Sequence, residues 1–249
     1  MNWYRTVLSA TGEVNTPSEW YVQEKLKEAI GSRDIDSVYQ ILLNGYIPKR
    51  PDFIAAFQSG NHEIIKLLFE VGTGGLKFPK ILLDYALRTN DIEIINYVID
   101  KVGVNERYAV EWAIETNDAN KVKLVLDHGA KATSRDVDRA VRQNNMEIFE
   151  ILMGYKPKVF PTETSFKSAI RNHSMEFLSR LLTIVRPRDN LLGDAIYYEN
   201  IDALRLLLDY GLTPDARIHA QAQKSKNPEI IDLISKHEFD IEKQVKYIN

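Results

Sequence analysis

An alanine followed by a polar turn and then an apolar cluster recurs eight times along this chain, and no other feature constrains the fold as much. Ala29, Ala56, Ala86, Ala113, Ala140, Ala169, Ala195 and Ala222 lead the copies, as in "AFQSGNHEIIKLLFEVG" from Ala56 and "AIETNDANKVKLVLDHG" from Ala113. Successive anchors are 27, 30, 27, 27, 29, 26 and 27 residues apart. A period of this size marks a stacked repeat. One copy cannot bury its own apolar surface, so neighbouring copies complete the core layer by layer.

Each copy reads as a helical hairpin. The first helix ends near the alanine, whose small side chain allows close approach. The second carries apolar residues at i, i+3 and i+4, as in Ile64, Leu67 and Leu68 or Leu204, Leu207 and Leu208. Between the helices lie Gly60-Asn61, Asn90-Asp91, Asn117-Asp118, Asn144-Asn145 and Glu199-Asn200. Such residues accept a left-handed backbone or cap the next helix through a side-chain oxygen. A glycine sixteen residues after the anchor (Gly45, Gly72, Gly129, Gly211) stands where the second helix should stop. Thr133-Ser134 and Thr162 are N-cap candidates for first helices.

At this level the copies resemble the ankyrin repeat. "AAFQSGNHEIIKLLFEVG" and "AIETNDANKVKLVLDHGAK" follow its helix-turn-helix half over about eighteen positions, and the likeness runs from about residue 20 to 237. The period is shorter than the ankyrin period of about 33 residues. The Thr-Pro-Leu-His opening is absent, and the missing residues fall between one copy and the next, as in "DHGAKATSRDVDRA". The resemblance therefore implies an all-α, ankyrin-like helical-repeat solenoid of about eight helix-turn-helix repeats with reduced or absent β-hairpin fingers. Its terse turns are similar in texture to ankyrin proteins of giant viruses and large phages. The expected organisation is an N-terminal cap over residues 1–19, with Trp3, Tyr4, Val7 and Leu8 as its apolar face, one solenoid over 20–237, and a C-terminal cap or tail over 238–249.

The chemistry-bearing residues are scattered. There is no cysteine, which excludes disulfides and thiolate sites and fits a reducing cytoplasm. The five histidines fall in different copies and no catalytic or phosphate-binding motif is present, so neither an enzyme nor a cofactor or metal site is expected. His62 and His173 are read as structural residues of the turn between the helices. The acids Asp36, Glu63, Glu93, Glu147, Glu176, Asp202 and Glu229 recur seven residues after an anchor, where they favour the dipole of the second helix. The longest apolar runs are far shorter than the roughly 20 residues of a membrane span. A net charge of -3 from 32 basic and 35 acidic residues gives no global field toward nucleic acid or an anionic membrane.

Surface remains. In ankyrins the residues two and three places after the anchor face the concave side and touch partners. Carried over, that column holds Arg88, Glu115, Arg142, Gln143, Arg171, Asn172, Tyr197, Tyr198 and Lys224. Four basic residues against one acid, with two adjacent tyrosines, are residue types enriched in binding hot spots. The resemblance implies a non-enzymatic protein-protein interaction module that blocks or recruits a partner with an acidic surface, a host factor if the viral likeness holds. Nucleic-acid or nucleotide binding through the same basic column is the alternative. Tyr85 and Trp112, each one residue before an anchor, either line that groove or pack between layers.

Overall fold

The computed structural model describes residues 18–72, 79–104, 108–156, 158–188 and 190–237. These form sixteen helices and no strand, paired as eight hairpins that coincide with the eight sequence copies. The first three are α1 (Glu19–Gly31) with α2 (Ile35–Leu43), α3 (Arg50–Ser59) with α4 (His62–Gly72), and α5 (Pro79–Leu87) with α6 (Ile92–Val102). Five follow: α7 (Ala109–Glu115) with α8 (Ala119–Asp127), α9 (Ser134–Arg142) with α10 (Met146–Gly154), α11 (Glu163–Arg171) with α12 (Met175–Leu182), α13 (Leu191–Tyr197) with α14 (Ile201–Asp209), and α15 (Ala216–Ser225) with α16 (residues 228–237). The chain divides into two compact units, hairpins one to three and hairpins four to eight.

The turn within each hairpin follows one local grammar. Four residues past the anchor the backbone is left-handed in seven of the eight hairpins: φ is 58° at Arg33, 64° at Gly60, 56° at Asn117, 57° at Asn144, 53° at His173, 52° at Glu199 and 56° at Lys226. The next residue caps the second helix. Asp34, Asn61, Asp91, Asp118, Asn145, Asn200 and Asn227 each accept a backbone N–H through a side-chain oxygen. The anchor carbonyl closes the loop, accepting from the N–H five residues on: Ala29 from Asp34, Ala140 from Asn145, Ala169 from Ser174 and Ala195 from Asn200. This is the Schellman arrangement, which satisfies carbonyls that a helix end leaves open. Gly129 and Gly211, with φ of 95° and 102°, end α8 and α14 in the same way. His173 holds the turn position expected of it. His62 does not: it is the first residue of α4, and its ring pairs across to Asp91, the cap of α6.

Within each unit first helices stack on first helices and second on second. In the first unit α3 packs between α1 and α5, and α2 against α4. In the second, α7, α9, α11, α13 and α15 pack in series, α8 on α10 and α12 on α14. All eight anchor alanines are buried, and the second helices contribute Ile64, Ile65, Leu68 and Phe69 or their equivalents to the core. Phe53 meets Phe69 edge-on at 5.1 Å, and Phe149 meets Phe177 at 5.4 Å. Each such side chain removed from water stabilises the stack by about 1.5–3 kcal/mol before entropy is charged against it.

The terminal copies depart from the apolar columns. Eight residues past the anchor, Ser37 stands in the first hairpin where Ile64, Ile94 and Ile148 are buried in others. In the last hairpin Gln223 and Ser235 are exposed at columns that elsewhere hold buried residues such as Ile196 and Leu208. Polar outer faces are what the end repeats of a stack require. The connection between α8 and α9, 128–133, is six residues with no strand. Of the expected N-terminal cap only Ser18, which caps α1, and Glu19 are among the described residues; the expected C-terminal cap lies outside them.

Candidate interaction edge

The column carried over from the ankyrin pattern splits into two rows. Two residues past the anchor the side chains are exposed: Arg88, Glu115, Arg142, Arg171, Tyr197 and Lys224. Three residues past it they turn inward and are half-buried: Gln143, Asn172 and Tyr198 with Ser59, Thr89, Thr116 and Ser225. The inward row fastens the stack. Ser59, Thr89, Thr116 and Ser225 donate their hydroxyls to their own anchor carbonyls. Asn172 Nδ2 donates to the carbonyls of Val141 at 3.4 Å and Arg142 at 3.1 Å in the preceding repeat. Tyr197 is 73% exposed and its ring lies 5.0 Å from that of Tyr198, edge to face. One residue of helix is about 100° of rotation, which is why these neighbours part.

The basic residues of the column fall in both units. Arg88 belongs to the first unit and its Nε donates to Asp84 at 3.0 Å. Arg142, Arg171 and Lys224 belong to the second and make no ion pair among the described residues. Lys226, exposed at the left-handed position of the last turn, joins them, and His173 holds the same place beside Arg171. The sequence column stops one residue short of these two. Adding the next position to it would have found them.

Four other cations of the second unit are committed to neighbouring repeats, while Lys123, Lys131, Arg135, Lys156, Lys158 and Arg186 are, like the edge cations, without an ion pair among the described residues. Arg139 Nη2 lies 2.6 Å from Glu111, Lys167 Nζ 3.7 Å from Asp194, Arg205 Nη2 3.5 Å from Glu229, and Arg180 meets Glu150 through two nitrogens at 2.6 and 3.1 Å. The Arg180 hydrogen bond holds the Glu150 carboxyl below the usual range, whereas burial pushes Asp194 up. Asp138 is spent likewise, accepting from the Thr162 and Ser165 hydroxyls at the start of α11.

Tyr85 and Trp112 are half-buried. Tyr85 of α5 stacks on Phe57 of α3 at 6.4 Å and so serves the packing of first helices, whereas the Trp112 ring lies 5.9 Å from Tyr108 at the start of its own helix. A cleft of about 560 Å³ is lined by Tyr108, Glu111, Thr133, Arg135, Asp136 and Arg139. Its acids are already engaged: Glu111 by Arg139, and Asp136 by the backbone N–H and hydroxyl of Thr133 in a capping box. Burial pushes the Asp136 carboxyl up. Among the described residues no three His, Asp or Glu side chains converge to hold a metal ion, and no helix is long and apolar enough to cross a membrane. Neither the known protein families nor the curated proteins give a match to this chain.

Proposed function

We propose that this chain is an ankyrin-type repeat protein with shortened connections, and that it acts as a non-enzymatic module binding an acidic protein surface through the exposed edge of hairpins five to eight. In the ankyrin reading this edge is the concave side. The recurrence of unmatched cations at one repeat position, two residues past the anchor in hairpins five, six and eight, carries the assignment. The cations that face other repeats, Arg139, Lys167, Arg180 and Arg205, are each matched to a carboxylate, while Arg142, Arg171, Lys224 and Lys226 on the edge are not. Long cationic side chains held at regular intervals without internal partners, beside a 73%-exposed tyrosine, suit an external one.

Affinity capture from lysates, compared between the wild type and an Arg142→Glu/Arg171→Glu variant, tests this. The expected outcome is a protein retained by the wild type and lost from the variant, with Arg88→Glu capturing as the wild type does. Equal capture by both would refute the edge.

A further inference from the structure

We propose that the partner docks as an extended acidic segment laid across the tips of hairpins five to eight. A carboxylate stands opposite Arg142, Arg171 and the Lys224-Lys226 pair, and an apolar side chain stands opposite Tyr197. This rests on the protein-binding reading above and specifies the ligand.

The geometry begins with register. Asn172 of hairpin six bonds to the Arg142 carbonyl of hairpin five, and Asn200 of hairpin seven bonds to the Ile170 carbonyl of hairpin six at 2.8 Å. Successive tips are therefore aligned, and the residues two past each anchor form one row. Stacked helices lie about 8–10 Å apart. An extended chain in the polyproline II conformation advances about 3.1 Å per residue and returns the same face every third residue. One ligand residue in three then meets a tip, which gives the order acid-x-x-acid-x-x-apolar-x-x-acid.

Charge sets the span. Hairpin four ends the row with Glu115, so the basic run begins at Arg142. At hairpin seven the row holds Tyr197 with Glu199 two residues on, which disfavours an acid there and leaves the tyrosine ring as the contact.

The composition of the edge favours an extended segment of this kind over an α-helix as ligand. An amphipathic helix docks by burying an apolar stripe of i, i+3, i+4 and i+7 anchors. Among the described residues of these four tips Tyr197 is the one exposed large apolar side chain, so a helix would have nothing continuous to cover. An extended segment keeps its backbone polar groups available to the exposed Asn144 amide on the tip of hairpin five. Nucleic acid fits less well, because Glu115 bounds the row and Glu199 lies beside it, and both would repel a phosphate backbone that ran on along the tips.

Fluorescence anisotropy with the full chain decides it. The probes are labelled peptides of equal composition, with acids spaced by two, three or four residues around one leucine, an alanine-rich helical peptide with acids every seven residues, and a thymidine 12-mer. The three-residue spacing should bind about tenfold tighter than the other spacings, since each exposed ion pair is worth a factor of about two to five. It should weaken as salt rises and be lost in Arg142→Glu/Arg171→Glu, with Tyr197→Ala weakening it further than Tyr198→Phe. Equal binding at all spacings that is still weakened by the charge reversal would overturn the extended register and leave the edge standing. Binding indifferent to the charge reversal would overturn both. Tighter binding of the helical peptide or the oligonucleotide, or no peptide binding at all, would also overturn the proposal.

Discussion

Asn200 shows how much one side chain does in this fold. Its Oδ1 accepts from Ala203 N at 3.0 Å to cap α14, its Nδ2 donates to the Ile170 carbonyl of the preceding repeat, and it is 3% exposed. Asn200→Ala should cost about 2 kcal/mol, the sum of a lost cap and a lost buried hydrogen bond. Asn200→Asp, which keeps the cap oxygen but sets a buried carboxylate oxygen against the Ile170 carbonyl, should cost at least as much as Asn200→Ala at neutral pH, and urea denaturation of the three proteins checks the order. Asp136 invites a pH experiment. Burial raises its folded value above 3.8, so the folded state holds the proton more tightly than the unfolded chain. Its contribution to stability is fully present below 3.8 and declines as pH rises through the raised folded value. Urea midpoints of wild type and Asp136→Asn, followed from acid to neutral pH, should diverge in the variant's favour across that window and then run parallel. A constant difference would show that the Thr133 hydrogen bonds and Arg139 cancel the burial.

Within a hairpin, the turn decides where one helix ends and the next begins. Its left-handed position was legible in the sequence where it holds Gly or Asn, because those residues tolerate positive φ at little cost. It was not legible at Arg33, His173 or Lys226, where composition argues against it and the stacked repeat imposes the conformation. Such a residue is strained by about 1 kcal/mol. Glu199→Gly should therefore raise stability by about 0.5–1 kcal/mol, less the entropy that glycine adds to the unfolded chain. Thermal and urea unfolding measure it, and no gain would mean that the Glu199 side chain offsets the strain. His62 illustrates the opposite error. Two residues past the left-handed position a residue starts the second helix, and only the neighbouring repeat reveals that its partner is Asp91.

Taken as a whole, a repeat stack derives its stability from the interfaces between copies. The unit of three hairpins has fewer of these than the unit of five, so hydrogen exchange should show α1 to α6 opening at lower free energy than α9 to α14. Uniform protection across both would indicate that the chain opens as one body. The sequence alone determined the eight hairpins, most of their caps and their buried columns, because each follows from contacts a few residues apart or from a column repeated at a fixed period. The pairing of charges was decided only by tertiary structure. Arg139 and Arg142 are three residues apart in one helix, yet one meets Glu111 of the neighbouring repeat and the other meets solvent. That difference depends on how helices rotate against each other in the stack, and it separates the side chains that hold this protein together from those left free to bind another.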